Sequence, residues 1–113
     1  MALIVQKYGG SSVADTAALK RVAQRVVDAH RLGHDAVVVV SAMGDTTDEL
    51  LDMAEELNPD APKREMDMLM SAGERISMSL LAMAITRLGV PAYAYTGRQA
   101  GIHTDTRYGK ASI

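Results

Sequence analysis

Four consecutive β-branched residues, Val37-Val38-Val39-Val40, follow Ala36 with no polar residue among them. Such a run suits a strand of a parallel sheet covered on both faces, since neither face then has to present polar groups to water. A parallel strand needs a neighbour reached through a crossover, usually a helix. The preceding sequence supplies both. Leu3-Ile4-Val5 is a short apolar run that predicts a strand from Ala2 to about Lys7. From Asp15 the period changes. Leu19, Val22, Ala23, Val26, Val27 and His30 recur at i, i+3, i+4, i+7, i+8 and i+11, the apolar stripe of a helix that ends near Leu32-Gly33, with the glycine as its cap.

Beyond the valines, a second helix is predicted to begin near Asp45 or Thr46, to turn Leu50, Leu51, Ala54 and Leu57 inward, and to stop at Asn58-Pro59. After "NPDAP", a long helical stretch from about Lys63 to Leu88 aligns Met66, Leu69, Met70, Ile76, Leu80, Met83, Ala84 and Leu88, with Gly73 a point where it can bend or break. Gly89-Val90-Pro91 punctuates, and Ala92-Tyr93-Ala94-Tyr95-Thr96 reads as a third strand. The remainder, "GRQAGIHTDTRYGKASI", reads as loop until Ala111-Ser112-Ile113 resembles the start of a strand. The order β-α-β-α-α-β predicts an α/β domain with a mainly parallel sheet, whose ligands belong at the carboxyl ends of its strands.

At 113 residues, 48% hydrophobic and 23% charged, the chain has the composition of one globular domain or part of one, and a formal charge of -2 gives no reason to expect nucleic acid. The absence of cysteine excludes disulfides and thiolate metal sites. "MALIV" lacks a basic leader, and "AVVVV" is far shorter than the roughly 20 residues of a membrane span, so no membrane association is expected and the cytoplasm is the default location. Six of the eight methionines fall between Met53 and Met83, as flexible packing or as an adaptable binding surface.

Three polar clusters stand at strand ends or within a helix. In "QKYGGSSVAD", Gly9 and Gly10 allow a sharp turn and close approach to an anion, Lys7 adds a mobile positive charge, and the stretch is neither a Walker A loop nor G-x-G-x-x-G, so a phosphate cradle and a plain β-α turn both remain open. "SAMGDTTDE" follows the valine strand. Thr46 and Glu49 match a capping box, which would account for those two but not for Ser41, Asp45 and Thr47 at the same strand end. In "SAGERIS", Ser71 and Glu74 again have capping-box spacing, so the helix either restarts after Gly73 or offers the Glu74 carboxylate to a cationic ligand group. His30, His34 and His103 have no metal-ligand spacing, and no metal site is assigned.

"KYGGSSV", "VVVVSAMGDTTDEL", "REMDMLMSAGERIS" and "TGRQAGIHTD" occur in the order and spacing of bacterial aspartate kinases, which this chain resembles over essentially all of its 113 residues. The resemblance implies a three-layer α/β/α sandwich of the amino-acid kinase fold, with a mainly parallel sheet. It implies phosphorylation of L-aspartate by ATP to 4-phospho-L-aspartate, the step that opens lysine, threonine and methionine biosynthesis. It places Lys7 on the transferring phosphoryl group as the catalytic residue. Tyr8, Gly9, Gly10, Ser11 and Ser41 fall at ATP, Asp45, Thr46 and Thr47 at the aspartate-binding turn, and Glu74 at the substrate's amino group. Mg²⁺ would be held mainly by the nucleotide. The nucleophile would be the substrate carboxylate, ionised at pH 7 with a pKa of about 3.9, which removes the need for a general base.

Members of that family continue into a second half of the kinase domain and then into ACT domains. Residues 1–113 are therefore expected to be the N-terminal portion of an amino-acid kinase domain, incomplete at the C-terminus, inactive alone, and either homo-oligomeric or paired with the remainder of the enzyme. Two other readings are carried forward: a non-catalytic, oligomerising interaction module, and a related amino-acid kinase acting on another acid.

Overall fold

The computed structural model describes residues 2–97 and 99–101. Its elements are β1 (Leu3–Tyr8), a 3-10 turn (Gly10–Val13), α1 (Thr16–Arg31), β2 (Asp35–Val40), α2 (Thr46–Leu57) and α3 (Lys63–Arg87). β1 and β2 pair in parallel, from Leu3 opposite Asp35 to Tyr8 opposite Val40, with α1 as the crossover between them.

The two ends of α1 are fixed by residues whose chemistry suits them. Asp15 is the N-cap, and its Oδ1 accepts from the Ala18 N–H at 2.8 Å, a contact worth about 1 kcal/mol to a helix. At the other end Gly33 takes φ +91° while its N–H donates to the His30 carbonyl at 2.9 Å and the His34 N–H donates to the Ala29 carbonyl at 3.3 Å. This is a Schellman closure, and its left-handed residue is at low cost only as glycine.

Between sheet and helices lies one apolar core. Val13, Leu19, Val22, Ala23, Val26 and Val27 meet Leu81 and Ile85 of α3, and Tyr8, Ala36, Val38 and Val40 pack on them from the sheet. The α/β class and the parallel sheet are as the sequence predicts. The valine run differs in one respect: its burial alternates, with Val37 and Val39 each 49% exposed beside Leu3 at 69% and Val5 at 66%. Among the described residues the helical cover lies on one face of the sheet, and the alternate side chains of both strands make a bare apolar strip.

Three further expectations are corrected. Residues 92–96 form no strand, since the sheet of the described residues contains only β1 and β2. Ala92 packs partly on the core while Tyr93, Ala94 and Tyr95 are exposed, so burial does not follow the small/aromatic alternation. In α2 no residue is buried; Leu50 and Ala54 are half-buried but Leu51 and Leu57 are exposed, because this helix has α3 as its main neighbour.

α3 runs unbroken through Gly73. Its buried residues are Gly73, Ser77, Leu81 and Ile85, while Ile76, Met83 and Leu88 are exposed. A four-residue step advances about 40° beyond a full turn, so this ridge winds around the helix. Small residues occupy it near the end of β2 and large ones where it reaches the α1 core. α3 is also long and apolar enough, by length and composition, to cross a membrane. Its buried ridge and core contacts are those of a helix packed within a domain.

Candidate functional site

Three of the polar clusters meet at the carboxyl ends of the two strands. The Ser41 N–H donates to the Tyr8 carbonyl at 3.1 Å, which extends the β1–β2 ladder by one step past Val40. The Gly44 N–H then donates to the Gly10 carbonyl at 3.0 Å and joins the turn after β2 to the turn after β1. From α3, the Ser77 hydroxyl reaches the Ser41 carbonyl at 2.7 Å. "KYGGSSV", "SAMGDTT" and "SAGERIS" thus form one hydrogen-bonded surface.

Glycines set how closely these segments approach. A Cβ on Gly10 would stand 3.1 Å from the Ala42 carbonyl oxygen and 3.2 Å from that of Gly44. A Cβ on Gly73 would stand 3.0 Å from Cβ of Ala42, itself buried. Gly44 adopts φ +46°, the left-handed region that favours glycine. Gly9 is different. Its φ of -78° is open to any residue, and an added Cβ would meet nothing within 4 Å, so neither conformation nor packing accounts for a glycine there.

The polar side chains on this surface are available to a ligand. Lys7 pairs with Val39 in register, lies on the strand face opposite the core, is exposed, and forms no hydrogen bond or ion pair among the described residues. Ser41 is half-buried. Its backbone N–H and carbonyl are both used, and its side-chain hydroxyl makes no hydrogen bond among the described residues. Ser11 is exposed at the second position of the 3-10 turn. Tyr8 has a more structural position, its ring on the core and its hydroxyl donating to Gln6 Oε1 at 3.2 Å.

Neither capping box forms. Asp45, not Thr46, is the N-cap residue of α2 and makes no side-chain cap; Thr46 is the first helical residue, its N–H donates to the Met43 carbonyl at 2.9 Å, and the Glu49 N–H donates to the Asp45 carbonyl at 3.0 Å. Ser71 lies inside α3, where its hydroxyl donates to the Met68 carbonyl at 2.9 Å. Of the two readings open at Gly73, the helix restart is the one that fails: α3 is continuous there and packs closely on Ala42 and the start of α2. Asp45, Thr46, Thr47 and Glu74 make no side-chain hydrogen bond among the described residues, and Asp45, Thr47 and Glu74 are exposed.

Ala42 and Ser77 were not singled out by sequence reasoning. The signal at Ser77 is its four-residue spacing from Gly73, but Ser71, Ala72, Ser79, Ala82 and Ala84 make small residues common along α3 and dilute it. Among the described residues no three His, Asp or Glu side chains gather as a metal site. Arg98 and residues 102–113, which include half of "TGRQAGIHTD" and the Ala111–Ile113 strand expectation, lie outside the described residues.

Residues 2–112 match the model of the amino acid kinase family. Over all 113 residues the chain is 60% identical to an aspartokinase of Mycolicibacterium smegmatis and covers 27% of it. It is 50% identical to an aspartokinase of Thermus thermophilus, again over its whole length, covering 28% of that protein. A crystal structure of aspartate kinase from Synechocystis aligns with a TM-score of 0.83 at 47% identity, over 86% of this chain and 17% of that one. The chain thus spans about a quarter of the length of these curated relatives. A family match that leaves out only the two terminal residues, on a βαβ unit whose polar motifs converge at the strand ends, has one meaning: the chain belongs to the amino acid kinase family.

Proposed function

We propose that this chain forms one wall of an aspartate kinase site, in which ATP phosphorylates the side-chain carboxylate of L-aspartate. The observation that carries the reading is the convergence of Lys7, Gly9, Gly10 and Ser41 with the Asp45–Thr47 turn and the Glu74 segment of α3 at the carboxyl ends of two parallel strands.

Phosphoryl transfer requires alignment of the reactants and positive charge near the phosphoryl oxygens. A carboxylate oxygen of the substrate attacks the γ-phosphorus, the bond to the β,γ-bridging oxygen breaks, and ADP leaves with that electron pair. Lys7, unpaired among the described residues, supplies the charge. The open space at Gly9 and the turn that follows, with Ser11 and the Ser41 hydroxyl, receive the phosphates, and Tyr8 anchors the strand from which Lys7 projects. Asp45, Thr46 and Thr47 receive aspartate, with Glu74 paired to its ammonium group. Mg²⁺ arrives with the nucleotide. The described residues offer no carboxylate cluster to hold it, and no step is assigned to it.

The reading carries with it a cytoplasmic, oligomeric enzyme completed by further polypeptide. A substrate panel on the complete gene product containing these residues tests it. ADP release should depend on L-aspartate and not on L-glutamate, N-acetylglutamate or UMP; equal or greater activity with one of those would assign the site to another branch of the family.

A further inference from the structure

We propose that Ser77 is a positioning residue that sets the separation between the phosphate end of β2 and the turn of α3 carrying Glu74; this rests on the aspartate kinase reading of the site. Ser77 is 0% exposed, and it alone among the described residues is a buried polar side chain. Its hydroxyl lies 2.7 Å from the Ser41 carbonyl oxygen and 3.0 Å from that of Glu74.

A serine within a helix can satisfy itself on the carbonyl three or four residues back. Ser71, Ser79 and Thr86 of α3 do so, with Met68, Arg75 and Ala82 respectively. Ser77 has that local acceptor in Glu74 yet makes its shorter contact 36 residues away in sequence. With one proton for two acceptors, the closer carbonyl takes the larger share, so the hydroxyl acts chiefly as a tether between elements.

The acceptor's place gives the tether its consequence. Ser41 is the first residue after β2; its N–H makes the last bond of the ladder, and its carbonyl has no strand partner among the described residues. From Ser41 the chain enters the turn that bonds to Gly10 and leads to Asp45, Thr46 and Thr47. On the other side Glu74 sits one helical turn before Ser77. One hydroxyl therefore touches the backbones of a residue at the nucleotide and of the residue at the substrate ammonium. Glu74 and Ser41 receive different reactants, so loosening the tether disturbs their alignment more than the binding of either.

The test uses the complete gene product, with Ser77→Ala, which removes the hydroxyl, and Ser77→Thr, which keeps it. We expect Ser77→Ala to lower kcat for aspartate phosphorylation by roughly 10- to 100-fold, within the range that misplacement by about 1 Å can produce, with both KM values changed less than threefold. Amide exchange over residues 41–47 should accelerate at least tenfold, and Ser77→Thr should recover most of both losses. A solely structural role would lower the melting temperature without a change in kcat per folded site, and that result overturns the proposal. If Ser77→Ala does not fold, Ser77→Cys, which keeps the volume with a weak donor, replaces it under the same criteria. If the unaltered protein does not phosphorylate aspartate, the functional reading fails, and unchanged exchange in Ser77→Ala then overturns the tether as well.

Discussion

Gly73 of α3 lies so close to Ala42, just beyond β2, that a Cβ on the glycine would stand 3.0 Å from Cβ of Ala42 and 3.4 Å from Cγ2 of Thr46. This contact sets α3 against the site turn, and the two neighbours on which it bears belong to "SAMGDTT". Gly73→Ala should gain about 1 kcal/mol of helix propensity and lose about 2 kcal/mol or more to overpacking, for a net loss of at least roughly 1 kcal/mol. Ala42→Gly, which removes the facing methyl, should restore part of that loss in the double variant. Urea unfolding of the complete gene product checks both; unchanged stability in Gly73→Ala would mean that the crossing has slack.

Gly9 and Gly10 should respond differently to alanine. At Gly10 the new methyl meets two backbone carbonyl oxygens at 3.1 and 3.2 Å, so the turn must shift and both stability and activity should fall. At Gly9 it meets nothing within 4 Å, and stability should stay within about 0.5 kcal/mol of the unaltered protein. The KM for ATP should nevertheless rise, by roughly tenfold, because the methyl occupies space assigned to phosphate. Thermal melts beside ATP titrations separate the two, and a Gly9→Ala protein with unchanged KM would move the phosphates elsewhere.

Much of this arrangement is legible in the residues themselves, for identifiable reasons. α1 is legible because stripe, N-cap and C-terminal glycine agree, and Asp15, Leu19 through Val27 and Gly33 each do in the structure what their chemistry suggests. The inner face of α3 is not, because methionine and isoleucine supply apolar residues all around that helix. The buried ridge is marked instead by Gly73 and Ser77, whose small size matters only once Ala42 and Ser41 are known to lie opposite. Capping-box spacing at Thr46/Glu49 and Ser71/Glu74 misled for a related reason. Such spacing is common, and only the backbone around Asp45 and Gly73 shows that neither box forms. The family motifs carry Lys7, Ser41, Asp45 and Glu74 on segments that the fold brings together.

Asp15→Ala isolates a contribution to stability that lies outside the polar site. Loss of the 2.8 Å bond to the Ala18 N–H should cost about 1 kcal/mol and leave kcat unchanged. Denaturation and steady-state kinetics on one preparation check it; a large fall in kcat would tie the start of α1 to the site directly.

Glu74→Gln should act on one substrate only. With the charge removed and the shape kept, the KM for aspartate should rise roughly 30-fold, about 2 kcal/mol, the low end for a charged contact because Glu74 is exposed among the described residues. The KM for ATP should stay within about threefold of its original value, as unaffected nucleotide binding requires. Initial-rate measurements with each substrate varied decide it, and equal effects on both would remove Glu74 from the ammonium.

The central claim is that Lys7 and its surroundings deliver a phosphoryl group to the aspartate side chain, and hydroxylamine trapping of the acyl phosphate measures that most directly. With ATP and L-aspartate, the complete gene product should yield aspartate 4-hydroxamate, and Lys7→Ala should lower kcat at least about 100-fold without loss of folding, since Lys7 is exposed and packs on no core residue. No hydroxamate from the unaltered protein, or undiminished turnover in Lys7→Ala, would contradict the account.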